Sequence, residues 1–199
     1  MESIAAPHAH RTATGLDNRK LAMWAFLGSE CLFFGALLST YLLYRGRTAD
    51  GPKAHEIYDI PYTSVSSFVL LMSSLTMVLA LAAIQRGDHR RLRIWLLATA
   101  FLGMSFIGGQ VFEFTTFAKE GLNLRTSPFG SAFFLLTGFH GAHVTVGILM
   151  LLSLLGMSLA GKLPSEDSLK VELIGLYWHF VDVVWIVLFT VVYLIPTPG

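Results

Sequence analysis

The sequence predicts an all-α, polytopic membrane protein built as a bundle of five transmembrane helices. Its composition is the first reason: 54% of the 199 residues are hydrophobic, only 14% are charged and the mean hydropathy is +0.61. A soluble domain of this length needs less apolar surface. The second reason is that five apolar stretches are each long enough to cross a hydrocarbon core of about 30 Å, which takes about 20 helical residues.

The five spans are expected at about 21–44, 62–85, 92–117, 130–160 and 172–195 and form one domain over residues 21–195. Residues 1–20 are predicted to be a flexible N-terminal tail. This tail lacks the basic start and short apolar core of a cleavable signal peptide, so the first span is expected to insert uncleaved. The single cysteine, Cys31, excludes an internal disulfide and a multi-cysteine metal site.

Basic residues in the short loops predict the orientation of the bundle. Nine of the fourteen lysines and arginines lie on the side of the N-terminus and of the loops after spans two and four, and five lie on the opposite side. Because cytoplasmic loops carry the excess of Lys and Arg, we expect a cytoplasmic N-terminus and a periplasmic C-terminus.

The last span contains three ionisable residues, Glu172, His179 and Asp182, within an otherwise apolar segment. At a helical step of 100° per residue they fall on one side of the helix. Such groups cost at least ~2.5 kcal/mol each in hydrocarbon, so this side is expected to face other protein and not lipid.

Span four contains two histidines three residues apart, His140 and His143, which are neighbours on one helix face. They could hydrogen-bond to a carboxylate such as Glu172 or Asp182 and hold the helices in register. They could also serve a lipid-related or proton-related role. A third possibility is ligation of a metal or of a haem with His179, although ligands at i and i+3 cannot serve opposite faces of one haem.

Three further polar residues lie in spans three and one. Gln110 and Glu113 share a face near the outer boundary, where we expect Glu113 to be solvated or paired at the interface. Glu30 is about nine residues, or ~14 Å of helix, from Leu21 and is therefore placed near the bilayer midplane. There it requires a basic partner, a water-filled cavity or a neutral form that donates a hydrogen bond, and it is the best candidate for proton handling.

The sequence contains no pattern that would give this chain catalytic chemistry of its own. It has no cysteine cluster for a copper pair, no nucleophile elbow and no phosphate-binding glycine loop. Two rival functions remain open: a self-sufficient haem b protein with His140, His143 and His179 as ligands, and a small transporter with proton sites at Glu30 and Asp182. The second lacks the interrupted spans and repeated half that are typical of transporters.

Several segments carry a resemblance to a known family. TGFHGAHVTVG in span four, YWHFVDVVW in span five and SECLFF in span one resemble the signature segments of subunit III of the haem-copper respiratory oxidases. The similarity extends through QVFEF, SPFGSAFF and the C-terminal span. Within the family, the five-span length, TADGP in the first outer loop and the FTVVYL ending are most similar to cytochrome bo-type ubiquinol oxidases. Cytochrome c oxidase members share the two strongest segments, so their subunit III is the alternative.

The resemblance implies a multi-pass, non-catalytic subunit of a proton-pumping oxidase in a bacterial inner membrane. It implies that the haems and copper belong to subunit I, that this chain packs directly on subunit I, and that subunit II and, where present, subunit IV complete the complex. The implied contributions are assembly, lipid binding with bound phospholipid, and sustained turnover in aerobic respiration; no nucleic acid is involved. Glu30 corresponds to the family's buried, carbodiimide-reactive carboxylate, and His140, His143, Glu172, His179 and Asp182 fall in signature segments. Longer members have two further N-terminal spans, which this sequence lacks.

Overall fold

The computed structural model of the protein describes residues 17–48, 59–122, 124–125 and 127–195, and the regular elements of these residues are helices. Five long helices follow one another along the chain: α1 (Asn18–Tyr44), α2 (Ile60–Gln85), α3 (His89–Lys119), α4 (Pro128–Leu159) and α5 (Ser168–Phe189). A 3-10 turn, Ser165–Asp167, leads into α5, and a π-helical turn, Thr190–Leu194, extends it. Each of the five is long and apolar enough to cross a membrane, which confirms the predicted five-span, all-helical fold.

The helices begin a few residues before the hydropathy pattern predicts, because side-chain caps stabilise polar first turns. Asp17 accepts a hydrogen bond of 2.8 Å from the Arg19 amide, and Asp59, Asp88 and Ser127 cap α2, α3 and α4 in the same way. Residues 18–20, predicted as part of the tail, are therefore helical. Residues 1–16 of that tail lie outside the described residues.

Four of the helices form a closed bundle, and the fifth packs on its outside. α2 packs along α3 and α5, and α4 packs along the same two helices. α1 lies in the groove between α4 and α5. It buries only Leu27, Phe34 and Tyr41, seven residues apart, while side chains such as Leu32 are 78% exposed on the protein's own surface. A narrow seam therefore holds α1 to the bundle.

Two tryptophans of α5 fill the centre of the bundle. A Cβ atom added to Gly103 of α3 would lie 2.6 Å from the Trp178 ring, and one added to Gly147 of α4 would lie 2.8 Å from it. Trp185 packs edge-to-face on Phe106, with ring centroids 4.8 Å apart. Their indole N–H groups donate to hydroxyls of α2, at Ser73 (2.9 Å) and Ser67 (2.8 Å). Small residues on two helices and hydroxyls on a third thus create the space and the partners for these large side chains.

A tight turn joins α2 to α3. Gly87 adopts a positive φ of 73°, and the Asp88 amide donates back to the Ala83 carbonyl at 2.9 Å. This left-handed ending satisfies the last carbonyls of α2 and brings the first turn of α3 beside the last turns of α2.

Candidate functional site

The polar residues within the spans form separate contacts between pairs of helices and do not converge on one centre. The predicted side-chain set is distributed over α1, α3, α4 and α5: Glu30, Gln110, Glu113, His140, His143, Glu172, His179 and Asp182. Each of these side chains contacts a neighbouring helix.

Glu30 of α1 contacts His143 of α4. The Glu30 Oε2 and His143 Nε2 atoms are 3.1 Å apart, and both side chains are 18% exposed. The His143 Nδ1 atom lies 2.7 Å from the Phe139 carbonyl oxygen, which can only accept, so Nδ1 carries a proton. One further proton is therefore shared between Nε2 and the Glu30 carboxyl. The carboxyl group near the middle of α1 thus contacts a basic residue, which is one of the three arrangements that its position in the span allows.

His179 and Asp182 of α5 share one hydroxyl of α2. The Ser74 Oγ atom lies 2.9 Å from His179 Nδ1 and donates its proton to Asp182 Oδ2. Because that hydroxyl has a single proton, His179 Nδ1 is the donor to Ser74. The result is a directed chain, His179 to Ser74 to Asp182, that ties α5 to α2.

His140 is fully buried and contacts the backbone of α5. Its Nε2 atom donates to the Val181 carbonyl oxygen at 3.2 Å, and its ring packs against Trp185 with centroids 4.8 Å apart. Of the two histidines, His143 therefore contacts a carboxylate, that of Glu30 and not of Glu172 or Asp182, whereas His140 contacts a backbone carbonyl. Asp182 turns towards α2, one residue beyond the carbonyl that His140 contacts, and His143 reaches Glu30 on α1.

The two polar residues of α3 contact α4 and α2. Gln110 donates to the Thr137 carbonyl oxygen at 2.8 Å and lies directly over Gly141, where an added Cβ would be 2.5 Å from its amide oxygen. Glu113 accepts a hydrogen bond of 2.8 Å from Thr63 and is 7% exposed. The expected pairing of Glu113 is present, but the carboxyl group is buried in the bundle and not solvated.

Glu172 lies at the start of α5 and pairs with Lys20 of α1. The two charged atoms are 2.6 Å apart, and both side chains are about one-third exposed. Glu172, His179 and Asp182 thus all contact protein, as their shared helix side predicts, but Glu172 faces α1 and the other two face α2.

Comparison with known proteins decides the family. The sequence model of the family described as cytochrome c oxidase subunit III matches residues 1–196. The chain belongs to the cytochrome c oxidase subunit III family. The family resemblance of the span segments is thereby confirmed, and the protein is a multi-pass bacterial membrane protein.

Relatives within this family carry two kinds of name. The chain is 39% identical to cytochrome c oxidase subunit 3 of Bacillus sp. (strain PS3), over 98% of this chain and 94% of the relative. It is 39% identical to quinol oxidase subunit 3 of Bacillus subtilis (strain 168), over 98% and 95%. It is 36% identical to cytochrome bo(3) ubiquinol oxidase subunit 3 of Pseudomonas aeruginosa, over 94% and 88%.

The histidines of this family member do not fit a shared metal. Among residues 17–48, 59–122, 124–125 and 127–195, no three His, Cys, Asp or Glu side chains are grouped so that they could hold a metal ion. His140, His143 and His179 are directed at three different partners, Val181, Glu30 and Ser74. The donor set therefore does not fit ligation of one haem iron.

Helix α2 carries a row of hydroxyl groups that the sequence pattern did not predict to be functional. Thr63, Ser67 and Ser74 recur at helical spacing in an apolar span, and each bonds a polar residue of α3 or α5. Thr76 adds a contact of 2.8 Å to Thr99 of α3. The spacing of these residues could have predicted the contacts. Hydroxyls at i, i+4 and i+11 lie on one face of a helix, and such a face is expected to pack against polar groups of other helices.

Proposed function

We propose that the chain is the non-catalytic accessory subunit III of a proton-translocating haem-copper terminal oxidase, with ubiquinol as the electron donor of the complex. It would serve aerobic respiration by supporting assembly, lipid binding and sustained turnover. The observation that carries the proposal is the family match over residues 1–196.

The contacts between helices support a structural role for the polar residues. Five polar side chains of the spans each form a hydrogen bond to a neighbouring helix, and these bonds lie at separate helix pairs and do not meet at one site: Glu30, Gln110, His143, His179 and Asp182. In the proposal, these residues with Glu113, His140 and Glu172 hold the helices in register. Interhelical hydrogen bonds of this kind contribute about 0.6 kcal/mol each on average.

The redox groups of the proposed complex lie on its partners. Haems and copper belong to subunit I, which this chain contacts directly, and subunit II and, where present, subunit IV complete the assembly. Phospholipid is the ligand of the chain itself. In the inner membrane the N-terminus faces the cytoplasm and the C-terminus the periplasm.

Ubiquinol is proposed as the donor because the first outer loop and the C-terminal ending resemble the bo-type enzymes. Relatives named for quinol and relatives named for cytochrome c reach the same 39% identity. Subunit III of a cytochrome c oxidase is therefore the alternative.

Purification of the tagged chain in mild detergent tests the proposal. We expect subunit I to co-purify with a stoichiometric haem spectrum, together with a subunit II that lacks the dinuclear copper motif. The chain expressed alone should show no Soret band. A haem spectrum from the isolated chain would contradict the accessory role, and a dinuclear copper motif in subunit II would contradict ubiquinol as donor.

A further inference from the structure

A cavity of about 520 Å³ lies at the end of the α2–α3 hairpin. Its polar end is formed by Arg86, Asp88 and Arg91, and its apolar end includes Ala82, Ile94 and Trp95. The small side chain of Ala82 leaves the space between the last turns of α2 and the first turns of α3. The cavity is thus charged at the end of the helices and apolar towards their middle.

The charged end of this cavity has an excess of positive charge. Asp88 Oδ1 caps α3 through the Arg91 amide at 2.9 Å, and its Oδ2 lies 3.3 Å from Arg91 Nε. Arg86 has no ion-pair partner within the described part of the chain. One arginine is therefore fully available to an anion and a second retains its outer guanidinium nitrogens, in the planar geometry that suits a phosphate group.

A second, apolar groove of about 380 Å³ continues from the first along α3. The two share Ile94, and the groove passes Leu97, Phe101 and Met104. Ten residues of helix span about 15 Å, so the groove runs from the membrane surface well into the hydrocarbon layer. Trp95 lies at the junction, at the level where tryptophan is enriched in membrane proteins.

We propose that this continuous surface binds one anionic glycerophospholipid. Its phosphate contacts Arg86 and Arg91, and an acyl chain lies along the α3 groove from Ile94 to Met104. Basic pockets between transmembrane helices bind anionic head groups in this manner. A soluble anion would use the arginines but not the groove. The proposal rests on the lipid-binding part of the proposed function and assigns it a place and a lipid class.

The experiment measures bound lipid per copy of this chain by native mass spectrometry of the purified complex. The complex is delipidated and titrated with phosphatidylglycerol, phosphatidylcholine or inorganic phosphate. The variants are R86Q/R91Q, which removes both cationic groups, and A82L, which fills the cavity without a change of charge. R90Q is the matched control, because Arg90 is exposed at the same helix start but does not line the cavity.

We expect one phosphatidylglycerol to bind in preference to phosphatidylcholine in the parent and in R90Q. R86Q/R91Q should weaken this binding roughly 25-fold, since each arginine near the membrane surface contributes about fivefold. A82L should lose the lipid at unchanged net charge. Equal binding by R86Q/R91Q, A82L and R90Q would overturn the proposal, as would equal affinity for phosphatidylcholine or displacement by inorganic phosphate.

Co-purification of subunit I is recorded in the same samples. Absence of preferential phosphatidylglycerol binding by the parent complex, with subunit I still co-purifying, overturns the lipid site alone. Failure of the parent chain to co-purify with an oxidase overturns the proposed function and leaves the lipid measurement valid for this chain.

Discussion

The close contacts around Trp178 make two glycines sensitive to the addition of one methyl group. An alanine at Gly147 would place its Cβ 2.8 Å from the indole, and one at Gly103 would place it 2.6 Å from the indole. Because the ring is buried and its N–H is bonded to Ser73, it has no free direction in which to move. We expect G147A and G103A each to lower the free energy of unfolding by about 1–3 kcal/mol.

The effect is measured by heating the purified complex and recording the temperature at which this subunit is lost. G108A is the control, since nothing lies within 4 Å of a Cβ at Gly108. Replacement of a helical glycine by alanine should there be neutral or stabilising by up to about 1 kcal/mol. Equal behaviour of G147A and G108A would show that Trp178 is not held as described.

Glu30 provides the second prediction at the residue scale. If its function is to hold α1 on α4, E30Q should preserve the contact, because an amide can exchange a hydrogen bond with His143 Nε2 as a carboxyl group does. We expect turnover and proton uptake of the E30Q enzyme to stay within about twofold of the parent, and E30A to release subunit III more readily in detergent.

Inactivation per turnover, measured on the same preparations, distinguishes this role from proton handling. A large rise in E30Q, with the subunit still bound, would contradict the structural interpretation and support a proton-related one.

The sequence could identify these side chains but not their partners. Ionisable groups in an apolar span are conspicuous, so Glu30, His143 and Asp182 stand out from the pattern alone. Pairing depends on which helices are neighbours and on how each is rotated, and hydropathy contains neither quantity. For this reason the pattern did not show that the carboxylate partner of His143 would be Glu30 of α1 and not a residue of α5.

At the scale of elements, α1 is attached at its two ends and in the middle. Lys20 contacts Glu172 at one end, Glu30 contacts His143, and Arg45 donates to the Ile195 carbonyl at the other end. Between these points α1 contributes few buried side chains. Its position therefore depends on these polar contacts as well as on the narrow seam of Leu27, Phe34 and Tyr41.

Reversal of the charges at the Lys20–Glu172 pair tests this attachment. Both side chains are about one-third exposed, so the pair is screened by water and contributes about 0.5–1 kcal/mol. K20E should lower the free energy of unfolding by about that amount, and K20E/E172K should restore it. R19E is the control. Among residues 17–48, 59–122, 124–125 and 127–195, Arg19 pairs with Asp17, two positions before it in the chain, and it lies in the same first helical turn as Lys20, so both substitutions have the same effect on the helix dipole. Failure of the double variant to recover would show that the pair does not fix α1.

The helices themselves were predictable because a bilayer imposes their length. With the π-helical turn Thr190–Leu194 counted as part of α5, predicted and observed ends differ by four residues or fewer, and the largest differences are at helix starts. α5 begins at Ser168 and not at Glu172 because Lys170, bonded to Asp167, continues the helix into polar surroundings. A hydropathy window does not detect these polar first turns, because it measures the transfer of side chains into lipid and not the hydrogen bonding of the backbone.

At the scale of the whole molecule, the charge asymmetry predicts how the bundle is inserted. The side that holds the N-terminus, the α2–α3 turn and the loop before α5 has nine basic residues, against five on the other side. Alkaline phosphatase fused at the C-terminus should therefore be active, because the enzyme needs the oxidising periplasm to form its disulfides. The same reporter fused after Arg90, in the first turn of α3, should be inactive, and a green fluorescent protein at each site should give the opposite pattern. Alkaline phosphatase activity of the fusion after Arg90 would contradict this orientation. It would show that the bundle is inserted the other way round and that the proposed lipid site lies in the periplasmic leaflet.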